Sequence, residues 1–174
     1  NWHTIGDERG ICPDGFHVPT DNEWNILILH LDEDAMDWEN ASQSFIAGGM
    51  MKSIGTIEDG DGYWSSPNGE ASNESGFSGL GGGLRLDNFS GGSSGYFEEL
   101  GQLGVFWSST EGGGNQDAIV RWLNHGGGDI VAYSEWTKRK GFSIRCLSDQ
   151  PLITSYTWLN VSNESYTLDP EESV

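Results

Sequence analysis

The sequence predicts an α+β domain, and three observations support that class. An amphipathic helix is predicted early in the chain, directly after a capping box. The middle of the chain, residues 55–104, is rich in Gly, Ser, Asn and Asp but carries large apolar side chains. The last third holds short apolar runs separated by Gly-rich turns, which is typical of antiparallel strands. Helices and strands that are segregated along the chain indicate an α+β fold.

The first helix is predicted over residues 21–31. Thr20 and Glu23 have the spacing of a capping box, in which each side chain satisfies an unpaired amide at the helix start. The acidic run 32–34 ends the helix, because acids are unfavourable at the negative end of the helix dipole. One apolar face follows from the spacing of Trp24, Leu27, Ile28 and Leu31.

A second helix is predicted over about 40–53, weakened in its middle by Gly48 and Gly49. The Gly-rich stretch that follows would normally suggest a linker. Linkers do not carry so many large apolar groups, so we expect a long ordered loop region packed on the core. These groups are Tyr63, Trp64, Phe77, Leu80, Leu84, Leu86, Phe89, Tyr96 and Phe97.

Strands are predicted at 104–109, 118–123 and 129–133, and the last two form a hairpin around the Gly-rich turn 124–128. A further strand is predicted at 142–146, because its apolar side chains alternate on one face.

One domain is expected over 1–149, followed by a C-terminal extension over 150–174. In the extension we expect one more strand at 154–159 and a frayed acidic end at 169–174. Because Asn1 is not an initiator methionine, we expect a piece of a longer protein, and it stays open whether the first strand of the fold is included.

The charge balance excludes one class of partner. The chain has 27 acidic and 8 basic residues, a formal net charge of -19. Binding to a phosphate backbone needs a basic footprint, so no nucleic-acid partner is expected. No run approaches 18 apolar residues, so no membrane insertion is expected either. The acidic excess leaves three interpretations open: a solvated surface, common in extracellular proteins, a divalent-cation site, or a basic partner.

The two cysteines, Cys12 and Cys146, have two interpretations. They are free thiols of a cytosolic protein, or one disulfide that closes a loop of about 135 residues. The chain-entropy model values such a bridge at up to roughly 5 kcal/mol. A Gly-rich domain with few aliphatic residues fits the disulfide better, and a disulfide implies an oxidising compartment. The four scattered histidines lack zinc-ligand spacing.

Four stretches, in order, resemble one family. They are 9–24, with Arg-Gly-Ile-Cys-Pro-Asp-Gly-Phe-His-Val-Pro and Glu-Trp; 76–85, with Gly-Phe-Ser-Gly-Leu and a closing Arg; 106–111, Phe-Trp-Ser-Ser-Thr-Glu; and 140–146, Lys-Gly-Phe-Ser-Ile-Arg-Cys. Together they are similar to the signatures of the Fibrobacter succinogenes major paralogous domain, a family of bacterial surface and secreted proteins. Phe16 and Phe106 depart from the pattern, since the family usually has Trp there.

The resemblance implies a C-type-lectin-like fold, with two helices packed on a twisted antiparallel sheet, adjoining terminal strands and a long loop region. It implies that Cys12 and Cys146 correspond to the family's cysteines and tie the start of the fold to its last strand. His17, in the opening motif, is expected to be a hydrogen-bonded structural residue. The expected location is extracellular, on a cell surface or on a virion surface.

The resemblance also bears on chemistry. Formylglycine-generating enzymes share the fold and need reactive cysteines that bind copper, but a structural bridge leaves none, so no catalysis is expected. The calcium-binding Glu-Pro-Asn, Gln-Pro-Asp and Trp-Asn-Asp triplets of sugar-binding C-type lectins do not occur. No cofactor is therefore required. The remaining candidate is a calcium loop at Glu58, Asp59 and Asp61, where acids alternate with Gly.

By analogy of fold, the last hairpin is expected to carry a recognition face, as in the variable proteins of diversity-generating retroelements. The predicted function is an extracellular binding or adhesion module for a glycan or a protein on a cell surface. The alternative is a structural or receptor-binding component of a phage fibre or filament, through self-assembly or attachment to a larger chain. The expected ligand-binding residues are Arg121, Asn124, His125, Tyr133 and Trp136.

Overall fold

The computed structural model describes residues 1–38, 41–87 and 95–150. Phe89, the strand predicted at 154–159 and the frayed end predicted at 169–174 lie outside the described residues. The α+β class is confirmed, because helices and a curled sheet occupy separate parts of the chain.

The helices are a 3-10 helix (Trp2–Gly6), α1 (Asp21–Leu31) and α2 (Ala47–Met51). The strands are β1 (Phe16–His17), β2 (Met36–Trp38), β3 (Ala41–Gln43), β4 (Gly82–Arg85), β5 (Phe97–Leu100), β6 (Leu103–Glu111), β7 (Asp117–Asn124), β8 (Ile130–Thr137) and β9 (Leu147–Ser148). No helix in the described residues is long and apolar enough to cross a membrane.

Helix α1 has the predicted bounds and the predicted capping box. The Thr20 side chain accepts a hydrogen bond from the backbone amide of Glu23, and the Glu23 carboxylate accepts one from the amide of Thr20 at 2.8 Å. The helix buries Trp24 and Ile28 against the sheet. The local pattern was therefore sufficient for this element.

Helix α2 is shorter than predicted, because the first residues of the predicted span form β3, which pairs with β2. Gly48 and Gly49 lie where two loops approach the helix. A Cβ at Gly48 would lie 2.2 Å from the carbonyl oxygen of Asp129, and one at Gly49 would lie 2.4 Å from that of Glu70. The glycine pair thus allows a close contact that any side chain would prevent.

The main sheet has the strand order β5-β4-β6-β7-β8. It is mixed, and not purely antiparallel as predicted, because β4 runs parallel to β6. The hairpin of β7 and β8 is confirmed, whereas β4 and β5 lie within the stretch that was predicted to be a loop.

The strand predicted at 142–146 is wrong in detail. Gly141 bridges to Arg85 of β4, and Ser143 bridges to Phe106 of β6. The segment therefore lies between β4 and β6 as two isolated bridges and not as a regular strand.

Both faces of the sheet are buried. The inner face packs against α1, α2 and the loop region through Trp24, Ile28, Ala47, Met51, Trp64, Phe106, Leu123 and Ile130. The outer face forms a second cluster of Leu84, Leu103, Val105, Trp107, Ala118 and Val120. Neighbouring residues of one strand alternate between the two clusters, as the pleat of a strand requires.

The two ends of the described fold lie together. Strand β1 pairs with β9, and Cys12 and Cys146 form a disulfide with their Cα atoms 5.7 Å apart. The predicted bridge is confirmed. The long loop is anchored in the core by Trp64, which is fully buried and donates a hydrogen bond from Nε1 to the carbonyl oxygen of Gly79 at 2.9 Å.

Candidate functional site

A row of aromatic side chains crosses the outer face of the β7–β8 hairpin. The rings of Trp122 and Tyr133 are 5.5 Å apart, and those of Trp122 and Trp136 are 5.7 Å apart. The row continues inward from Trp136 to Phe142 at 5.3 Å and from Phe142 to the buried Trp107 at 4.5 Å. We call these five residues the aromatic row. It runs from the core to Tyr133, whose surface is 45% exposed.

A register shift places Tyr133 and Trp136 on the same face. The two residues are three positions apart, and such residues face opposite sides of a regular strand. The pairing of β7 with β8 shifts between Ala118 and Val120, which lie opposite Trp136 and Tyr133 respectively. An irregularity of this kind adds a residue to one strand and re-aims the side chains after it. Both rings therefore reach Trp122.

Other groups cover part of this outer face. Trp2, in the 3-10 helix, donates a hydrogen bond from Nε1 to the carbonyl oxygen of Ser108 at 2.8 Å. The Lys140 ammonium lies 4.1 Å from the centre of the Trp136 ring, a cation–π contact. Tyr133 is thus the most exposed member of the aromatic row, whereas Trp136 is covered by Lys140.

Arg121 is not on the recognition face, and its predicted surface position is wrong. Its side chain is fully buried on the inner face, opposite to Trp122. Nε donates to Asp21 at 2.9 Å, and a terminal nitrogen donates to Asn25 at 2.7 Å. Burial lowers the pKa of Arg121, whereas the Asp21 carboxylate raises it. Arg121 therefore ties β7 to the start of α1.

Asn124 and His125 lie at the turn of the hairpin, and His125 contacts the long loop. The Asn124 side chain accepts a hydrogen bond from the amide of Gly126 at 2.7 Å. His125 Nδ1 is 3.1 Å from the carbonyl oxygen of Ser66. The turn lies four to six residues along β7 from the partners of Tyr133 and Trp136, about 13–20 Å at the rise of a strand. The structure thus separates the predicted site residues into two groups.

Sequence reasoning left two members of this surface out of the site, Trp122 and Lys140. One sequence signal bears on Trp122. Adjacent residues of a strand face opposite sides, so only one of Arg121 and Trp122 can lie on the surface that binds a ligand. That signal did not decide which of the two faces outward. Lys140 follows the strand, and nothing in its local pattern indicates that it lies over Trp136.

The sequence motifs agree with a comparison against known protein families. A model of the Fibrobacter succinogenes major domain matches residues 1–148. The chain belongs to this family. The match includes both cysteines, α1, α2 and the β7–β8 hairpin. No curated protein and no solved structure matches the chain.

In the predicted calcium loop of this major domain, the carboxylates accept hydrogen bonds from neighbouring residues of the same loop region. Asp61 accepts a hydrogen bond from the amide of Thr56 at 2.8 Å, and Asp59 accepts one from the Thr56 hydroxyl at 2.6 Å. Glu58 accepts a hydrogen bond from the amide of Ser66 at 2.8 Å. Across the part of the chain that the structure describes, no three His, Cys, Asp or Glu side chains are grouped as a metal site. Calcium binding here stays a prediction.

His17 of the major domain is hydrogen-bonded on both sides of its ring. Nδ1 lies 2.5 Å from Asp149 Oδ1, and Nε2 lies 2.9 Å from Glu23 Oε1. The hydrogen bond with Asp149, followed by that with Glu23, raises the pKa of His17 against the opposing effect of burial. The contact links β1, α1 and the end of the described domain next to the disulfide, which is a structural arrangement.

Proposed function

We propose that this domain is an extracellular, non-catalytic binding or adhesion module whose ligand docks on the outer end of the aromatic row. The observation that carries the proposal is the ring contact of Trp122, Tyr133 and Trp136 on the last strands of the sheet, with Tyr133 exposed. Exposed aromatic faces stack on sugar rings, and aromatic anchors dominate many protein interfaces. The ligand is therefore a glycan or a protein on a cell surface.

The rigidity of the aromatic row supports this role. Each ring is held by a neighbouring ring, and Trp136 is also held by the Lys140 ammonium. Side chains that are already fixed lose little conformational entropy when a ligand binds. No cofactor is needed for such binding, and calcium at Glu58, Asp59 and Asp61 is an addition to be tested. The Cys12–Cys146 disulfide supports an extracellular location, because disulfides persist in oxidising compartments.

A glycan array, run with calcium and again with a chelator, tests the proposal. The variant is Tyr133→Ala, and the matched control is Tyr63→Ala, an exposed tyrosine of the long loop. We expect glycan binding that falls about tenfold in Tyr133→Ala, which corresponds to roughly 1.4 kcal/mol, and no change in the control.

Three other outcomes of the array would change the proposal. Equal loss of binding in both variants would remove the aromatic row from the proposal. If the unmodified domain binds no glycan, glycan recognition is contradicted and the role in a fibre or filament is favoured. If chelation alone abolishes binding, calcium belongs to the site after all.

The second candidate function, a structural or receptor-binding component of a phage fibre or filament, is favoured by β5. This edge strand exposes Phe97 and Leu100. An edge strand with exposed apolar side chains is a template for pairing with another chain. Analytical ultracentrifugation of the domain and of Phe97→Lys tests it. A concentration-dependent assembly that the substitution dissolves is expected, and a monomer at all concentrations would contradict self-assembly.

A further inference from the structure

A groove lies beside the start of β8 and is independent of the proposed function. It has a volume of about 380 Å³ and is bounded by the β2–β3 hairpin, the start of β8 and the long loop. Ligand pockets usually have roughly 300–1,000 Å³, so this groove is at the small end of that range. It has room for a single side chain or a small amine, and not for an oligosaccharide.

The walls of the groove combine apolar and acidic groups. Val131 of β8 is half-buried at the groove beside the fully buried Ile130, and Met36 and Phe45 contribute the exposed apolar rim. The acidic groups are the carboxylates of Glu70 and Asp129. These two residues come from the long loop and from the start of β8, so only the tertiary structure brings them together.

Within the described part of the chain, neither carboxylate forms a direct ion pair or accepts a side-chain hydrogen bond. The Lys52 ammonium, which is fully buried, is in electrostatic contact with both carboxylates. It donates to the carbonyl oxygens of Gly69, Asn124 and Gly127 at 2.7–2.8 Å. The hydrogen bonds of the Lys52 ammonium are therefore all made to backbone groups. With two carboxylates and one ammonium, the groove keeps a net negative charge.

The same hydrogen bonds fix the groove in place. Lys52 holds the backbone on both sides of the groove, at Gly69 next to Glu70 and at Gly127 close to Asp129. Burial lowers the pKa of Lys52 to about 8, against the raising effect of Asp129 and Glu70. The Glu70 carboxylate lies against the backbone of Gly128, since a Cβ there would be 2.3 Å from Oε2. The acidic wall is thus built on a rigid backbone.

We propose that this groove binds a basic side chain, Lys or Arg, presented by a protein partner. A Lys or Arg side chain has an apolar stem and a cationic head. The stem fits Val131 and Met36, and the head fits the two carboxylates. Phe45 offers the cation an aromatic face at the rim. The net charge of -19 adds a long-range attraction for a basic partner.

An NMR titration of the 174-residue chain with capped amino acids tests this proposal. The probes are the N-acetyl, N-methylamide derivatives of Lys and Arg, and the neutral analogues are those of norleucine and citrulline. We expect saturable shifts of the amides of Glu70, Asp129 and Ile130 with the two cationic probes. The neutral analogues should bind at least tenfold more weakly.

Two charge-matched variants separate the groove from general electrostatics. Glu70→Gln with Asp129→Asn removes the acidic wall, and Glu8→Gln with Asp14→Asn removes two exposed acids of the N-terminal segment. We expect the first pair to weaken binding of the cationic probes at least tenfold and the second pair to leave it unchanged. Equal weakening in both pairs, or shifts spread over the whole surface, would overturn the proposal.

Two further measurements complete the test. Tyr133→Ala should leave the binding of the cationic probes unchanged, so that failure of the aromatic row and failure of the groove are distinguishable. If calcium chloride shifts the same amides at lower concentration than either cationic probe, the ligand class is a divalent cation and the proposal for a basic side chain is wrong.

Discussion

The two faces of the β7–β8 hairpin use adjacent residues in opposite ways. On the inner face, Arg121 is enclosed beneath α1 and paired with Asp21. On the outer face, Trp122 lies in a row of rings that ends in the exposed Tyr133. The charged side chain of Arg121 is buried inside the fold, whereas the aromatic side chains on the other face extend to the surface at Tyr133. Residue type alone is therefore a poor guide to which side chains meet a ligand, because the layer that covers each face decides their exposure.

The largest loss of stability is expected when the buried ion pair of Asp21 and Arg121 on the inner face is removed. Asp21→Ala leaves the buried guanidinium of Arg121 without its carboxylate, and removing one partner of a buried pair costs about 3–5 kcal/mol. Urea unfolding at neutral pH measures this loss of the free energy of unfolding. The double variant Asp21→Leu with Arg121→Met should be less unstable than Asp21→Ala, because no charge is left buried. A loss below about 1 kcal/mol in Asp21→Ala would show that water solvates this pair, as at surface sites.

The covalent tie between the chain ends is expected to have the next largest effect. Cys12→Ser with Cys146→Ser opens a loop with a sequence separation of 134 and should lower the free energy of unfolding by about 2–5 kcal/mol. Urea unfolding with and without reductant measures it. Reductant should destabilise the unmodified chain and have no effect on the double serine variant. Free thiols in a non-reducing mass measurement would contradict both the bridge and the proposed extracellular location.

The outer face is expected to contribute less to stability than the inner face. Tyr133→Ala removes one aromatic contact, and such a contact is worth about 0.5–1.5 kcal/mol. Thermal unfolding should therefore show a small loss, while ligand binding falls about tenfold. A loss of stability as large as that of Asp21→Ala would mean that Tyr133 belongs to the core, and the comparison of the two faces would fail.

The smallest effect is expected from pH at the His17 contact. Because the folded state raises the pKa of His17 above 6.5, its contribution is complete below that pH and is lost as pH rises through the folded value. For Glu23, burial raises the pKa, but hydrogen bonds from Thr20 and His17 outweigh it. The Glu23 contribution is therefore present above 4.5 and is lost as pH falls through its lowered value.

Chemical denaturation from pH 4 to 8, below the range in which Lys52 titrates, measures this dependence. The unmodified chain should lose stability toward both ends of the range. His17→Gln should lose the dependence on the alkaline side and keep a weaker one on the acidic side, where Thr20 still lowers the pKa of Glu23. The same alkaline slope in His17→Gln would assign that dependence to another group.

Local elements were predictable from sequence where a local cause determines them. The bounds of α1 follow from a capping box and an apolar stripe, and the hairpin follows from two apolar runs around a Gly-rich turn. The span of α2 was overestimated, because β3 begins inside it and forms a ladder with β2. Strands β4 and β5 were missed, because a Gly-rich composition carries little strand signal, and their pairing depends on distant segments.

The sequence by itself determined the α+β class, α1, the last hairpin, the family and the pair of cysteines that closes the domain. The class, α1 and the hairpin are properties of spacing and composition, which need no knowledge of what packs against them. The family follows from the resemblance of four motifs, which also implies the cysteine pair. The tertiary structure alone decided that Arg121 is buried, that a register shift turns Tyr133 and Trp136 toward one face, and that Glu70 meets Asp129 in a groove. The physical reason is that exposure and register are set by contacts between segments far apart in the chain.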